Sequence, residues 1–219
     1  MHIGVLGGTG PAGQGLALRL ASVGYTVTVG SRSQERAESI CSKLCDAWPD
    51  RPLAILPGDN AAAAEAELVV VATPWEAAAP TVIALDRQLS GKVVLSMANA
   101  LARVGQEFIP LIPPRGSVAA WVQAAVPSAL VAAALHHVPA RELAEIDKHL
   151  VGDVLVCSDH PRATDAVSEL VARMPDLRPL DAGMLSSASA IEALTPVLLQ
   201  INARYRTRAS LQLTNIDLS

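Results

Sequence analysis

The feature that most restricts this chain lies near its N-terminus. A short apolar run, Ile3-Gly4-Val5-Leu6, leads into Gly7-Gly8-Thr9-Gly10-Pro11-Ala12-Gly13, and helix-forming sequence follows from about Gln14 to Val23. Gly8, Gly10 and Gly13 have the G-x-G-x-x-G spacing. That spacing carries meaning only where a strand precedes it and a helix follows, as here. Glycines at those places permit a tight turn and let the backbone come close to a pyrophosphate. The helix N-terminus then offers unpaired N–H groups and a partial positive charge to the anion. The opening of this chain therefore reads as the first βα unit of a dinucleotide-binding fold.

The rest of the sequence keeps the alternation going. Gly24 stops the first helix. Strands are expected at Tyr25–Val29, Leu53–Leu56, Leu68–Ala72, Lys92–Ser96, Leu130–Ala134 and Asp153–Val156. Helices are expected at Ser33–Leu44, in the alanine-rich Asn60–Ala66, at Thr164–Met174 and at Ser187–Ala203, and a last edge strand at Ala209–Thr214. Continuous apolar runs such as Leu68–Ala72 mark strands covered on both faces. The expected fold class is α/β: a doubly wound, Rossmann-type, mostly parallel sheet with a small C-terminal lobe. The boundary is placed near residue 150, giving an NADP-binding domain over 1–150 and a lobe over 151–219. Pro110–Pro114 reads as a surface crossing.

Composition narrows the function classes. Hydrophobic residues make up 51% of the 219 and charged residues 17%, enough for a packed core. A net charge of -4 implies no basic face for nucleic acid. No apolar run reaches the roughly 18 residues of a membrane span, and the start lacks the basic and apolar regions of a secretory leader. A cytoplasmic protein with small-molecule partners is expected. Cys41 and Cys45 stand four apart on one helix face, either as a redox or metal pair or as two small helix residues. No His or further Cys lies at a ligand spacing, so no metal site is assigned. Cys157 falls in a strand and is read as core.

The corner after the second strand selects the dinucleotide. NAD sites place an acid there to bond the ribose hydroxyls. This chain has Gly30-Ser31-Arg32-Ser33, with its first acid, Glu35, already on the helix. Arg32 brings a planar cationic fork suited to phosphate, Ser31 adds a hydroxyl, and Arg36 follows four residues later. The corner favours a 2′-phosphate, hence NADP(H). Thr73-Pro74-Trp75 follows the fourth strand and Ser96-Met97-Ala98-Asn99 the fifth. Both lie at the edge where open α/β sheets bind ligands, so Thr73, Pro74, Ala98 and Asn99 are placed near the nicotinamide and its ribose. Asn99 either bonds the carboxamide or caps a helix. Asp181 either orients a partner or caps the helix that follows it.

With these segments in view, the chain resembles the NADPH-dependent reductases of the deazaflavin coenzyme F420, the 8-hydroxy-5-deazaflavin:NADP oxidoreductases. The glycine turn is shared with many folds of this kind. More specific are His136-His137-Val138-Pro139-Ala140 and Leu177-Arg178-Pro179-Leu180-Asp181-Ala182-Gly183, and Leu194-Thr195-Pro196 matches in the tail. The resemblance implies hydride exchange between nicotinamide and deazaflavin, with F420 as second substrate. It implies Gly8, Thr9, Gly10, Pro11 and Ala12 at the pyrophosphate, and Ser31, Arg32 and Arg36 at the 2′-phosphate. It implies His136, His137 and Val138 where the two rings meet, and Leu194–Pro196 walling the deazaflavin cleft. Departures from the family pattern are Leu135, Ser158, Ser210 and Asn215. The cofactors carry such chemistry, so no catalytic side chain is assigned. Two alternatives stand beside this reading: an NADPH-dependent reductase of an imine, keto or metal-chelate substrate, and a non-catalytic NADP(H)-binding protein. The apolar tail helix leads us to expect a homodimer.

Overall fold

The computed structural model describes residues 1–216. The chain begins with β1 (His2–Leu6), α1 (Pro11–Ser22), β2 (Thr26–Ser31), α2 (Gln34–Asp46), β3 (Ile55–Asp59), α3 (Asn60–Ala64) and β4 (Leu68–Val71). It continues through α4 (Trp75–Ile83), α5 (Asp86–Leu89), β5 (Val93–Ser96), β6 (Leu101–Val104), β7 (Glu107–Pro110), α6 (Val118–Ala125) and β8 (Leu130–Ala133). It closes with α7 (Ala140–Ala144), β9 (Gly152–Ser158), α8 (Pro161–Ala172), β10 (Leu177–Asp181) and α9 (Ala188–Tyr205).

Eight strands form one sheet in the order β10-β9-β8-β5-β4-β1-β2-β3, and β6 and β7 form a separate antiparallel hairpin. The six strands from β3 to β8 run parallel; β9 turns antiparallel to β8, and β10 runs parallel to β9. Strand order reverses between β1 and β4, which opens a crevice at their C-terminal edge. Side chains alternate between two cores, as the period of a strand demands. Ile3, Val5, Leu68, Val70 and Leu95 face α1, α2, α7 and α8, while Leu6, Val69, Val71 and Val94 face α3–α6 and α9.

Several boundaries differ from expectation. α1 starts at Pro11, not Gln14, because Pro suits a first helical position, where no N–H is needed. Pro161 does the same for α8. β3 covers Ile55–Asp59 rather than Leu53–Leu56. It admits Pro57 and Gly58 because it is the edge strand, with a free side that needs no ladder donor. Ala209–Thr214 is not a strand. It lies beside the start of β9, where the Asp153 N–H donates to the Leu211 carbonyl at 2.7 Å. The next rung is taken by the Asp153 side chain, whose Oδ2 accepts from the Leu213 N–H at 2.5 Å. The sequence pattern predicts neither the β6–β7 hairpin nor β10, and none of the helices α4 to α7. Among the described residues no helix is long and apolar enough to cross a membrane.

The layers meet most tightly where α3 crosses β1. A Cβ built on Gly4 would stand 1.7 Å from the Ala63 carbonyl oxygen, so α3 rests directly on strand backbone. Gly4→Ala is expected to force the layers apart and lower stability by about 1–3 kcal/mol or more. An unchanged urea midpoint would contradict this contact.

Candidate functional site

The glycine turn is built from contacts that exclude side chains. Gly7 has φ 67°, a left-handed conformation, and lies against Thr73. The Gly8 N–H donates to the Gly30 carbonyl at 2.8 Å, tying the turn to the end of β2. A Cβ on Gly13 would come within 2.6 Å of Gly8 Cα. Gly10 is different. A Cβ there would meet only the Gly7 oxygen, at 3.6 Å, so the protein itself does not require this glycine. Its missing side chain leaves space for something outside the chain. Gly10 is also the N-cap of α1, with no side chain capping the helix, so first-turn N–H groups stay open.

Beside the turn lies a cleft of about 650 Å³. Thr9, Gly10, Ser31, Arg32, Arg36, Thr73 and Pro74 line it, so seven of the sequence-assigned residues share one cavity. Gly8, Pro11 and Ala12 flank it through the turn. Arg32 and Arg36 are exposed, and neither makes an ion pair among the described residues. Ser31 is buried, its hydroxyl accepting from the Ser33 N–H at 3.2 Å; Ser33 in turn caps α2. The buried Thr73 hydroxyl has no partner among the described residues. Asn60 also lines the cleft and steadies the turn, its Oδ1 accepting from the Gly7 N–H at 3.2 Å. The sequence signal for it was faint: a polar residue opening an alanine run reads as a cap.

Asn99 and the His pair form a second cluster, at the ends of β5 and β8. Asn99 neither caps a helix nor stands in the 650 Å³ cleft. Its amide donates to the His136 carbonyl at 3.0 Å, and its Oδ1 accepts from the Thr195 hydroxyl at 3.0 Å. Three segments are thereby stapled together. Ala98 is buried alongside. Leu135, just before the pair, is buried with φ 67°, an uncommon conformation for a non-glycine. It turns the chain sharply out of β8. His137 donates from Nε2 to the Asp153 carbonyl at 2.8 Å, since a carbonyl can only accept. His137 and Val138 border a small cavity of about 90 Å³ under the tail.

The His136 ring is wholly buried, and among the described residues neither nitrogen finds a hydrogen-bond partner. Its Nε2 lies 3.9 Å from Glu192 of α9, a residue not foreseen from sequence. An acid one step from Ile191 and three from Thr195, on a buried stripe, was the available signal. The Glu192 carboxylate caps α6, accepting from the N–H groups of Val118 at 2.9 Å and Ala119 at 3.1 Å. Burial pushes Glu192 up to about 7, opposed by those two bonds. Burial, reinforced by the charge of His137, pushes His136 down to about 3. His137 is lowered too, chiefly by burial. The His136–Glu192 approach is therefore not an ion pair: the distance is long and the imidazole stays neutral.

Two sequence readings change or sharpen. Asp181 does not cap a helix; it accepts from the Gly183 N–H at 2.8 Å, closing a turn. The cap of the following 3₁₀ turn comes from Asp159, which accepts from the Leu185 N–H at 3.0 Å. Burial raises the Cys41 thiol to about 11 and Cys157 to about 12, so neither is poised as a thiolate.

Comparison with known proteins decides the family. The chain is 34% identical to the F420-dependent NADP reductase of Methanocaldococcus jannaschii, with 100% of each chain covered. It belongs to the F420-dependent NADP reductase family. The counterpart from Methanothermobacter marburgensis is also 34% identical, over 99% of each chain. Residues 2–100 match the family model described as NADP oxidoreductase, coenzyme F420-dependent. A crystal structure from Arthrobacter sp. FB24, assigned as an F420-dependent NADP reductase, superposes with a TM-score of 0.82 at 25% identity, covering 97% of this chain and 99% of that one. The chain's own residues suit the dinucleotide of such a reductase. The space at Gly10, the unpartnered Thr73 hydroxyl and two arginines free of carboxylates converge on one cleft.

The buried His and Glu oppose each other in their effect on stability. Glu192 has a folded value above its ordinary 4.5, so its contribution is present below 4.5 and lost as pH rises toward 7. His136 has a folded value below its ordinary 6.5, so its contribution is lost as pH falls from 6.5 toward 3, and His137 acts in the same sense. Between about pH 4.5 and 6.5 the slopes partly cancel. Glu192→Gln should steepen the rise of stability with pH across that window, and His136→Asn should flatten or reverse it. Urea midpoints at three pH values check this; parallel profiles for all three proteins would refute it.

Proposed function

We propose that this protein, acting in the cytoplasm, transfers a hydride between NADP(H) and the deazaflavin coenzyme F420. The observation that carries the reading is the full-length match to F420-dependent NADP reductases. The cleft corner of Ser31, Arg32 and Arg36 supports it independently. When bound, nicotinamide and deazaflavin supply the redox chemistry themselves. The protein's work is to hold, orient and desolvate.

In this reading the backbone of Gly8–Ala12 and the N-terminus of α1 hold the pyrophosphate. Ser31, Arg32 and Arg36 hold the 2′-phosphate. Thr73 and Pro74 border the nicotinamide ribose, with the unpartnered Thr73 hydroxyl available to it. Asn99 serves by fixing the ends of β5 and β8 against α9 through His136 and Thr195. His136, His137 and Val138 border the meeting place of the rings, which the buried Ala98 and Leu135 help keep dry. Residues 1–150 form the NADP-binding domain in this proposal, and 151–219 the lobe that completes the deazaflavin cleft. The reach of Thr195 across to Asn99 supports that division of labour.

Two experiments test the proposal. With purified protein, NADPH and oxidised F420, loss of the deazaflavin absorbance is expected. Arg32→Ala should raise KM for NADPH by about 10- to 100-fold, the value of one charge-assisted contact, with little change for F420. Equal rises for both, or none, would remove Arg32 from the phosphate site. Binding of NADPH with no turnover of F420, imines or keto acids would leave a non-catalytic binding protein instead. Second, Val197 and Tyr205 of α9 are 52% and 76% exposed, which supports a homodimer. Light scattering should give twice the chain mass, and a monomer mass would overturn it.

A further inference from the structure

Arg19 lies in the last turn of α1 and is 1% exposed, yet it makes no ion pair among the described residues. Its guanidinium donates instead to five main-chain carbonyls. Nε reaches Leu143 at 3.2 Å; Nη1 reaches Ile146 and Lys148, each at 3.2 Å; Nη2 reaches Glu142 at 3.0 Å and Glu145 at 2.8 Å. Five donors are the full complement of the group, and all are spent on one stretch of chain. α7 ends at Ala144, and residues 145–151 form no helix or strand, so their carbonyls have no regular ladder to satisfy them. Arg19 substitutes for that ladder. Burial lowers its pKa, opposed by the charges of Glu142 and Asp147.

A second contact fixes the same pair of helices. Gly15 lies one turn before Arg19, on the same face of α1. A Cβ on Gly15 would stand 2.4 Å from the Ala140 carbonyl oxygen, so α1 and α7 touch backbone to backbone. The N-terminus of α1 is the glycine turn, and the chain entering α7 is His136-His137-Val138-Pro139. One rigid block therefore joins the two places assigned to the two cofactors. Stability alone does not demand an arginine: an apolar side chain at a buried position is commonly as stabilising as a buried charge.

We propose that Arg19 is a positioning residue for the hydride transfer, holding the segment from His136 to Lys148 at a fixed distance from the glycine turn. This rests on the function proposed above. Arg19 touches neither cofactor's assigned residues and acts through the chain it anchors. A displacement of that segment by about 1 Å would cost on the order of a hundredfold in rate with little effect on the binding of either ring alone.

The test uses the full chain with Arg19→Lys and, as a control that loosens the same core, Val167→Ala. Arg19→Lys keeps the charge but offers only three donors. It should leave the NADPH dissociation constant, read by NADPH fluorescence, within threefold of wild type. It should lower the single-turnover rate of hydride transfer at least tenfold. Without any cofactor, backbone hydrogen exchange should accelerate across 136–148 and not at the glycine turn. Val167→Ala should leave the rate within about twofold. The proposal is overturned if Arg19→Lys keeps a rate within twofold of wild type. It is equally overturned if Val167→Ala loses as much rate, or if exchange across 136–148 is unchanged. Failure of wild-type protein to reduce F420 would instead remove the proposed function, while exchange and NADPH affinity would still decide whether Arg19 fixes the segment.

Discussion

The site depends first on the bond from the Gly8 N–H to the Gly30 carbonyl, 2.8 Å long. The same N–H also reaches the Val5 carbonyl at 3.2 Å, and the shorter bond pins the turn to the end of β2. Ser31 and Arg32 follow Gly30 directly, so the corner proposed to hold the 2′-phosphate is fixed next to the turn proposed to hold the pyrophosphate. The bond is reachable only because the backbones pack without side chains between them. A Cβ on Gly8 would come within 2.9 Å of the Val5 oxygen, and one on Gly30 within 3.0 Å of the same atom. In the proposed function both phosphate sites thus depend on one backbone approach.

Much of this was readable in the residues. The strand-turn-helix context gives the glycines their meaning, and Ser-Arg in place of an acid after β2 favours NADP(H) over NAD. Periodicity located the strands that are buried on both faces, because a continuous apolar run such as Leu68–Val71 has few other uses. It failed where a segment's partners are distant in sequence. Nothing local to Ala209–Thr214 says that the Asp153 carboxylate will occupy the next rung. Likewise nothing near Arg19 announces five carbonyls more than 120 residues away. The β6–β7 hairpin was hidden by Pro110 and the neighbouring prolines, which read as loop.

The site residues show the same division. Thr9, Gly10, Ser31, Arg32, Thr73 and Pro74 lie at or just beyond the C-terminal ends of β1, β2 and β4, with Arg36 in the first turn of α2, so they meet in one cleft, and strand ends are what alternation predicts. Asn99 follows from the same rule and His136 from the family resemblance, but neither source reveals their partners. Glu192 and Thr195 come from α9, which reaches the site from the far end of the chain. Burial is also invisible locally. His136 reads like any loop histidine until the structure encloses its ring and removes its charge.

The reversal at β9 has a consequence for how such a protein can change. In the first six strands, loops at the binding edge leave a strand; at β9 the loop there enters one, because that strand runs the other way. The stretch before Gly152 therefore sits at the rim without being part of any βα unit. Its length can vary without shifting the register of the parallel strands, which are set by their own crossovers. The carbonyls up to Lys148 are held by Arg19, so a change of length at 142–148 would still be felt by α1 and the glycine turn at its start. Only residues 149–151, beyond the last of those carbonyls, can lengthen or shorten the rim and leave that anchor in place.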